Sequence, residues 1–204
     1  MSGFFLVVEG PEGAGKSTLV RALEARLTAE GRAVQMVREP GGTPLAEAAR
    51  SLALDPASHT GSGAELFLML AARADLVEKV IRPRLASGAV VVADRFDLST
   101  MAYQVAGRGL AAEGVAAANR LATGGLTPDL TLVLDLPAGI GAARQAADGK
   151  HPDRMEREDA AFHRRVHDAY RAASGSGVVH LDAARSPTEV VAAAWNEIQR
   201  RLGR

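Results

Sequence analysis

Short apolar runs alternate along the chain with longer segments whose apolar residues recur at helical spacing. Phe4–Val8, extending to about residue 9, reads as a first strand, and Leu19, Leu23 and Leu27 mark the buried stripe of a helix near 17–30. Gly31 closes that helix, and Ala33–Arg38 reads as a second strand. Pro40, Gly41 and Gly42 then force a loop. Thr43 with Pro44 is an N-cap and first-turn signal for a helix through about Leu54, and 55–63 is a polar loop. A long, mostly apolar helix is predicted over 64–86, with Pro83 expected to bend or re-start its last turn.

The run Ala89–Ala93, ending in Asp94, is β-branched and apolar without alternation, which is the pattern of a strand buried on both faces of a parallel sheet. Helical segments near 98–106 and 111–123 follow, and Leu130–Leu136 is another buried strand ending at Pro137. About ten helical residues should lead into a polar loop at 148–153. A helix over 155–173, the strand Val178–Leu181 and a closing helix over 187–202 complete the pattern. Five strands alternating with helices predict a single α/β domain over 1–204, built on a doubly wound parallel sheet with ligands at the strand carboxyl ends.

Composition narrows the function without naming it. Formal net charge is zero and no block of like charge occurs, so nothing suggests a nucleic-acid surface or a polybasic membrane anchor. The chain has no cysteine, which removes disulfides, thiolate catalysis and Cys-ligated metals. Residues 1–9 carry no basic leader, and no apolar run approaches the roughly 18 residues that span a bilayer, so a cytoplasmic location is expected. Only three of the 24 basic residues are lysines. One of the three therefore stands out.

Lys16 closes Gly10-Pro11-Glu12-Gly13-Ala14-Gly15-Lys16-Ser17, which lies between the first strand and the first helix. This strand–loop–helix arrangement is a phosphate-binding P-loop. Its glycines let successive backbone N–H groups turn toward one phosphate, and the helix N-terminus that follows adds partial positive charge. Lys16 is the candidate point charge for the β- and γ-phosphates of a nucleoside triphosphate, Ser17 with its hydroxyl a candidate Mg²⁺ ligand, and Thr18 the next residue of the cradle.

Asp94, where the third strand ends, can hold the Mg²⁺ shell beside Ser17. Arg95 next to it, and Arg38 at the end of the second strand, can grip an anion bidentately. Two arginines on one rim suit an acceptor that is itself a phosphate. Such a nucleophile is already ionised and needs no general base; the difficulty is holding two polyanions together. A hydroxyl acceptor would instead need a carboxylate base, for which Glu12 and Glu39 are the candidates.

The P-loop, Arg38-Glu39-Pro40-Gly41-Gly42-Thr43, Glu65-Leu66-Phe67 with Ala72-Arg73, Asp94-Arg95-Phe96 and Asp153-Arg154-Met155-Glu156 together resemble the bacterial thymidylate kinase family, in order from residue 4 to about 183. The resemblance implies a nucleoside-monophosphate kinase that moves the γ-phosphoryl group of ATP to dTMP with Mg²⁺, giving dTDP and ADP. It makes Phe67 the aromatic that stacks on thymine and Arg73 the arginine that hydrogen-bonds the base. It brings Glu12 to the deoxyribose 3′-hydroxyl, Asp94 and Arg95 to the metal and the acceptor phosphate, and Ser99, Tyr103 and Gln104 to the base and sugar. Asp182-Ala183 resembles the loop beside adenine, so Ala183 joins the ATP-binding set. Helical pattern alone reads the first pair differently: Phe67 as a core residue and Arg73 as a solvated one.

Family members whose P-loop lacks an arginine, as this one does, bring basic residues over the phosphates on a lid, which here would be 144–155. Arg144 and Arg154 are expected to approach the triphosphate. The resemblance also implies a homodimer through helices, for which 64–86 and 111–123 have apolar surface to spare.

Other readings fit these residues less well. A deoxynucleoside kinase would share the fold but act on thymidine. A nucleotide switch would want an Asn-Lys-x-Asp motif or a second lysine where Pro11 stands, and has neither. His163 and His167, four apart on a helix, have zinc-binding spacing, but no third ligand is signalled and a solvated face is the better reading.

Overall fold

The computed structural model describes residues 3–137, 139–141, 144 and 152–202. Its elements are β1 (Phe4–Glu9), α1 (Lys16–Ala29), β2 (Val34–Arg38), α2 (Pro44–Leu54), α3 (Ser62–Leu76), α4 (Arg82–Ala86) and β3 (Val90–Asp94). They continue as α5 (Asp97–Thr100), α6 (Ala112–Thr123), β4 (Leu130–Asp135), α7 (Ala160–Ala172), β5 (Val178–Asp182) and α8 (Pro187–Leu202). The sheet is five-stranded and parallel, in the order β2-β3-β1-β4-β5.

All six residues of the central strand β1 are buried, and they alternate between two cores. Phe4, Leu6 and Val8 pack with α1 and α8 residues such as Leu23 and Trp195 on one face. Phe5 and Val7 pack with Leu76, Ile81 and Phe96 on the other. Apolar runs without alternation are thus what a strand sandwiched between two helical layers requires. Register then sets the functional edge. Val8 pairs with Asp94, and Asp94 with Arg38, so the ends of β1, β2 and β3 stand level.

Two predicted helices contain wide π-helical turns. Val77–Ile81 joins α3 to α4 immediately before Pro83, whose ring and missing N–H an α-helical interior would not accept. Met101–Gly107 continues α5 and re-phases the side chains after it. The helix predicted over 155–173 begins at Ala160; before it, Asp153 Oδ1 accepts from the backbone N–H groups of Met155 and Glu156, making a tight turn instead. Its buried stripe, Phe162, Val166 and Tyr170, packs on the Met101–Gly107 turn. Of the expected lid, 145–151 lie outside the described residues.

The close approach of α7 explains Gly107. A Cβ there would stand 2.5 Å from Cε2 and 2.9 Å from Cζ of Phe162. Gly107→Ala is therefore expected to destabilise the fold by about 1–3 kcal/mol, read as a lowered midpoint in urea denaturation. An unchanged midpoint would show that the two helices separate freely.

Candidate active site

Strand β1 delivers the chain into a loop whose backbone curls at Gly13, with φ of 71°. The Gly13 backbone lies so close to Gly141 that any side chain would collide with it. Lys16 begins α1 and folds back over the loop, its Nζ donating to the carbonyls of Gly10 at 3.0 Å and Pro11 at 2.8 Å. Burial, with Arg95 close by, lowers the pKa of Lys16 to about 7. Ser17 Oγ donates to Asp94 Oδ2 at 2.9 Å, so the two expected metal ligands already meet across β1 and β3. A hydroxyl and a carboxylate, with phosphate oxygens to complete the shell, form the hard-oxygen donor set that suits Mg²⁺.

Arg95 follows with φ of 73°, a left-handed backbone rare outside glycine, and turns its side chain under the rim. Nη1 donates to Gly10 O, Ser99 Oγ and Tyr170 OH at 3.1, 3.3 and 2.7 Å, and Nη2 to Tyr103 OH at 3.1 Å. Tyr103 OH in turn donates to Glu12 Oε1 at 3.0 Å. Beneath this cluster the buried Glu9 carboxylate accepts from the N–H groups of Phe96 and Ser99 and from the hydroxyls of Ser99 and Tyr170. Burial pushes the Glu9 pKa up, and Arg95 opposes that.

One cleft of about 1260 Å³ joins these residues. Its lining runs from Glu12–Leu19 of the loop and first helix, past Arg38, Asp94 and Arg95, to Ser99, Tyr103 and Gln104, and includes Arg144 and Ala183. Arg144 reaches Gly13 O at 3.3 Å and Ala183 O at 3.4 Å, bridging the P-loop and the end of β5. Arg38 stands on the rim, half exposed and paired with Glu47 at 2.9 Å.

Phe67 and Arg154 are off the cleft wall, and Arg73 lines it with its donors already engaged. Phe67 is 67% exposed and is not on the cleft wall; Met69, two positions on, is. A helix turns about 100° per residue, so side chains two apart face different ways, and burial of Leu66 and Leu70 fixes which way α3 turns.

Arg73 does line the cleft, but it is 3% exposed and all five of its N–H groups are engaged. Nε and Nη2 meet Glu39 Oε2 at 2.7 and 2.6 Å; Nη1 takes Thr100 Oγ1 and Asn119 Oδ1, both at 2.6 Å; Nη2 also takes Phe96 O at 2.8 Å. A base contact through Arg73 must share one of these donors.

Arg154 is not among the residues lining the cleft. It donates to Ala53 O at 2.8 Å and to Glu65 Oε2 at 2.6 Å, tying the turn before α7 to α2 and α3.

Several residues of the site carried no sequence signal. Tyr170 reads as one more member of an apolar stripe, and Glu9 as the polar end of a strand. Arg50 lines the cleft from α2 and donates to Pro40 O at 3.0 Å. His163 and His167 belong to no cluster able to hold a metal among the described residues, and His167 is mostly buried, with Nε2 2.6 Å from Leu136 O.

The family model described as "Thymidylate kinase" matches residues 8–194. The chain is 45% identical over 202 residues to a thymidylate kinase of Deinococcus radiodurans, covering 98% of each chain. It is 48% identical over 203 residues to one from Synechococcus, covering 97% of this chain and 95% of the relative. A thymidylate kinase of Pseudomonas putida is 53% identical over 171 residues, 83% of this chain and 81% of its own.

The depressed pKa of Lys16 has a consequence for ligand binding. At pH 8 its amine is largely neutral in the free protein, and a phosphate beside it favours the ammonium form. Binding of ATP at pH 8 should therefore take up about one proton, and affinity should fall as pH rises above 7. Calorimetry in two buffers of different ionisation enthalpy measures the uptake directly. Equal heats in the two buffers would contradict it.

Proposed function

The chain belongs to the thymidylate kinase family, and on that premise we propose how its residues transfer the γ-phosphoryl group of ATP to dTMP, the step that supplies dTDP. The donor lies along the P-loop, Gly10 to Thr18, with Lys16 released from its loop carbonyls onto the β- and γ-phosphates. Arg144 and Ala183 border its nucleoside end. Ser17 and Asp94 would hold Mg²⁺, which would supply charge compensation for the donor phosphates. Arg95 and Arg38 hold the acceptor phosphate in line with the donor. Glu12 and Tyr103 border the sugar, and Ser99 and Gln104 the base. Met69 takes the wall position first expected of Phe67.

One observation favours a phosphate acceptor over a hydroxyl. Each carboxylate that could serve as a base is tied through one oxygen, Glu39 Oε2 to Arg73 and Glu12 Oε1 to Tyr103. Arg95, by contrast, has only a carbonyl and hydroxyls as hydrogen-bond partners, which leaves its charge for an anion. An ionised acceptor needs positioning and charge compensation and no proton removal. Arg95 supplies both, because its backbone and four hydrogen bonds leave it little freedom to lose on binding. Arg154 pins the end of the expected lid to α2 and α3 and takes no direct part in transfer.

A homodimer and a cytoplasmic location complete the reading. Leu45 and Leu52 on α2, Phe67 on α3 and Leu121 on α6 are large apolar side chains left in solvent, on helices that pack side by side. A second copy covering that surface gives Phe67 its role. No helix among the described residues is long and apolar enough to cross a membrane.

The transfer is tested by ADP release with ATP, Mg²⁺ and dTMP, thymidine, dUMP, dCMP or AMP in turn. Preferred turnover of dTMP is expected, and Arg95→Lys should lower kcat by roughly 10²–10³-fold, since a point charge cannot reproduce the fork. Turnover of thymidine without dTMP would assign the protein to the nucleoside kinases. For the assembly, light scattering at micromolar concentration should give twice the chain mass, and Phe67→Asp with Leu121→Asp should halve it. A wild-type monomer would refute the dimer.

A further inference from the structure

Glu65 stands in the first turn of α3 and is completely buried. Two arginines from different parts of the chain converge on it. Arg108, just past the Met101–Gly107 turn, places Nε 3.2 Å from both carboxylate oxygens and Nη2 2.9 Å from Oε2. Arg154 brings its Nη2 to 2.6 Å of the same Oε2. Burial alone would raise the Glu65 pKa; hydrogen bonds from Arg108, Gln104 and Arg154 outweigh it and hold the group below the usual carboxylate range. An ionised carboxylate accepts hydrogen bonds and donates none.

Its remaining partner is Gln104, whose Nε2 donates to Glu65 Oε1 at 2.9 Å. An amide is ambiguous by shape, but here its direction is fixed by chemistry, because only the NH₂ end can face an acceptor. Gln104 is 2% exposed and lines the cleft. With its NH₂ end held by Glu65, the carbonyl oxygen is the end it has to offer a ligand.

We propose that Glu65 is a positioning residue that fixes the amide of Gln104 as a hydrogen-bond acceptor, so that the cleft selects a pyrimidine with a ring N–H at position 3. The inference rests on the reading of Gln104 as a base contact. Thymine and uracil carry that N–H. Cytosine carries a lone pair there, which would face the amide oxygen and leave two acceptors opposed. A site built around a fixed polar group rejects an analogue that cannot pair with it far more strongly than an apolar pocket rejects a wrong shape. Arg108 and Arg154 serve the same end indirectly: they keep Glu65 ionised in a place where it would otherwise hold a proton.

The test compares kcat and KM for dTMP with the competitive inhibition constant of dCMP. Glu65→Gln gives Gln104 a neighbour that can donate as well as accept, so the amide can turn. We expect the preference for dTMP over dCMP to shrink by roughly 10-fold or more. The change should fall in KM, with kcat within a few-fold of wild type, since the P-loop, Asp94 and Arg95 are untouched. A merely structural Glu65 would weaken both nucleotides equally, and an unchanged ratio overturns the proposal. If the single variant does not fold, Glu65→Gln with Arg108→Gln removes one charge of each sign and is expected to show the same loss. N3-methyl-dTMP probes the unmodified protein: binding at least 10-fold weaker than dTMP supports the acceptor polarity, and equal binding overturns it. Gln104→Leu separates the two levels. Unchanged dTMP affinity would remove the base contact itself, whereas lost affinity with an unmoved Glu65→Gln ratio would remove only the role of Glu65.

Discussion

Burying an ion costs several kcal/mol unless a partner of opposite sign and further hydrogen bonds replace the water it loses. That constraint shapes the functional edge of this protein. Three carboxylates are sealed beside or beneath the cleft, and each is matched to arginine: Glu39 to Arg73 and Glu65 to Arg108 and Arg154 directly, Glu9 to Arg95 through Ser99 and Tyr170. The pairs join elements far apart in sequence. Because removing one member would strand the other in low dielectric, each pair fixes the spacing of two elements more firmly than apolar contact alone.

The reacting groups are carried by this framework. Arg95 keeps a left-handed backbone because its side chain is held at four points and its own N–H donates to Val8 O at 3.0 Å. Level strand ends place it beside the Ser17–Asp94 pair without any loop having to reach. The cleft is therefore pre-formed around Arg95, which suits the proposed transfer between two anions, where orientation matters.

The parts of the protein that depend on neighbours in sequence were legible in it. Strand, glycine loop and helix are adjacent, so the P-loop and the roles expected of Lys16 and Ser17 followed from spacing alone. The parallel sheet followed from runs such as Val90–Ala93, which only a doubly covered strand can accommodate. Helix faces were harder to read. Pattern made Phe67 buried and Arg73 solvated; the structure has the reverse, because Leu66 and Leu70 set the rotation of α3 and Glu39 offers the arginine a buried counter-charge. Arg154 was assigned by its position in the expected lid, but its partner in the structure, Glu65, is 89 residues away. Tyr170 was hidden for the opposite reason: its spacing fits an apolar stripe so well that its hydroxyl left no trace in the pattern.

The grip of Lys16 on the carbonyls of Gly10 and Pro11 sets a threshold for anything that would draw the amine away. An incoming anion must first break two hydrogen bonds that are already made. Free inorganic phosphate, with a single anionic group, meets that whole cost alone and gains only part of the cradle. A triphosphate spreads the same cost over several phosphate groups, each meeting further N–H donors along the loop. On the proposed role of the loop, those two bonds would make it selective by valency, favouring a ligand long enough to engage it at several points over a small anion.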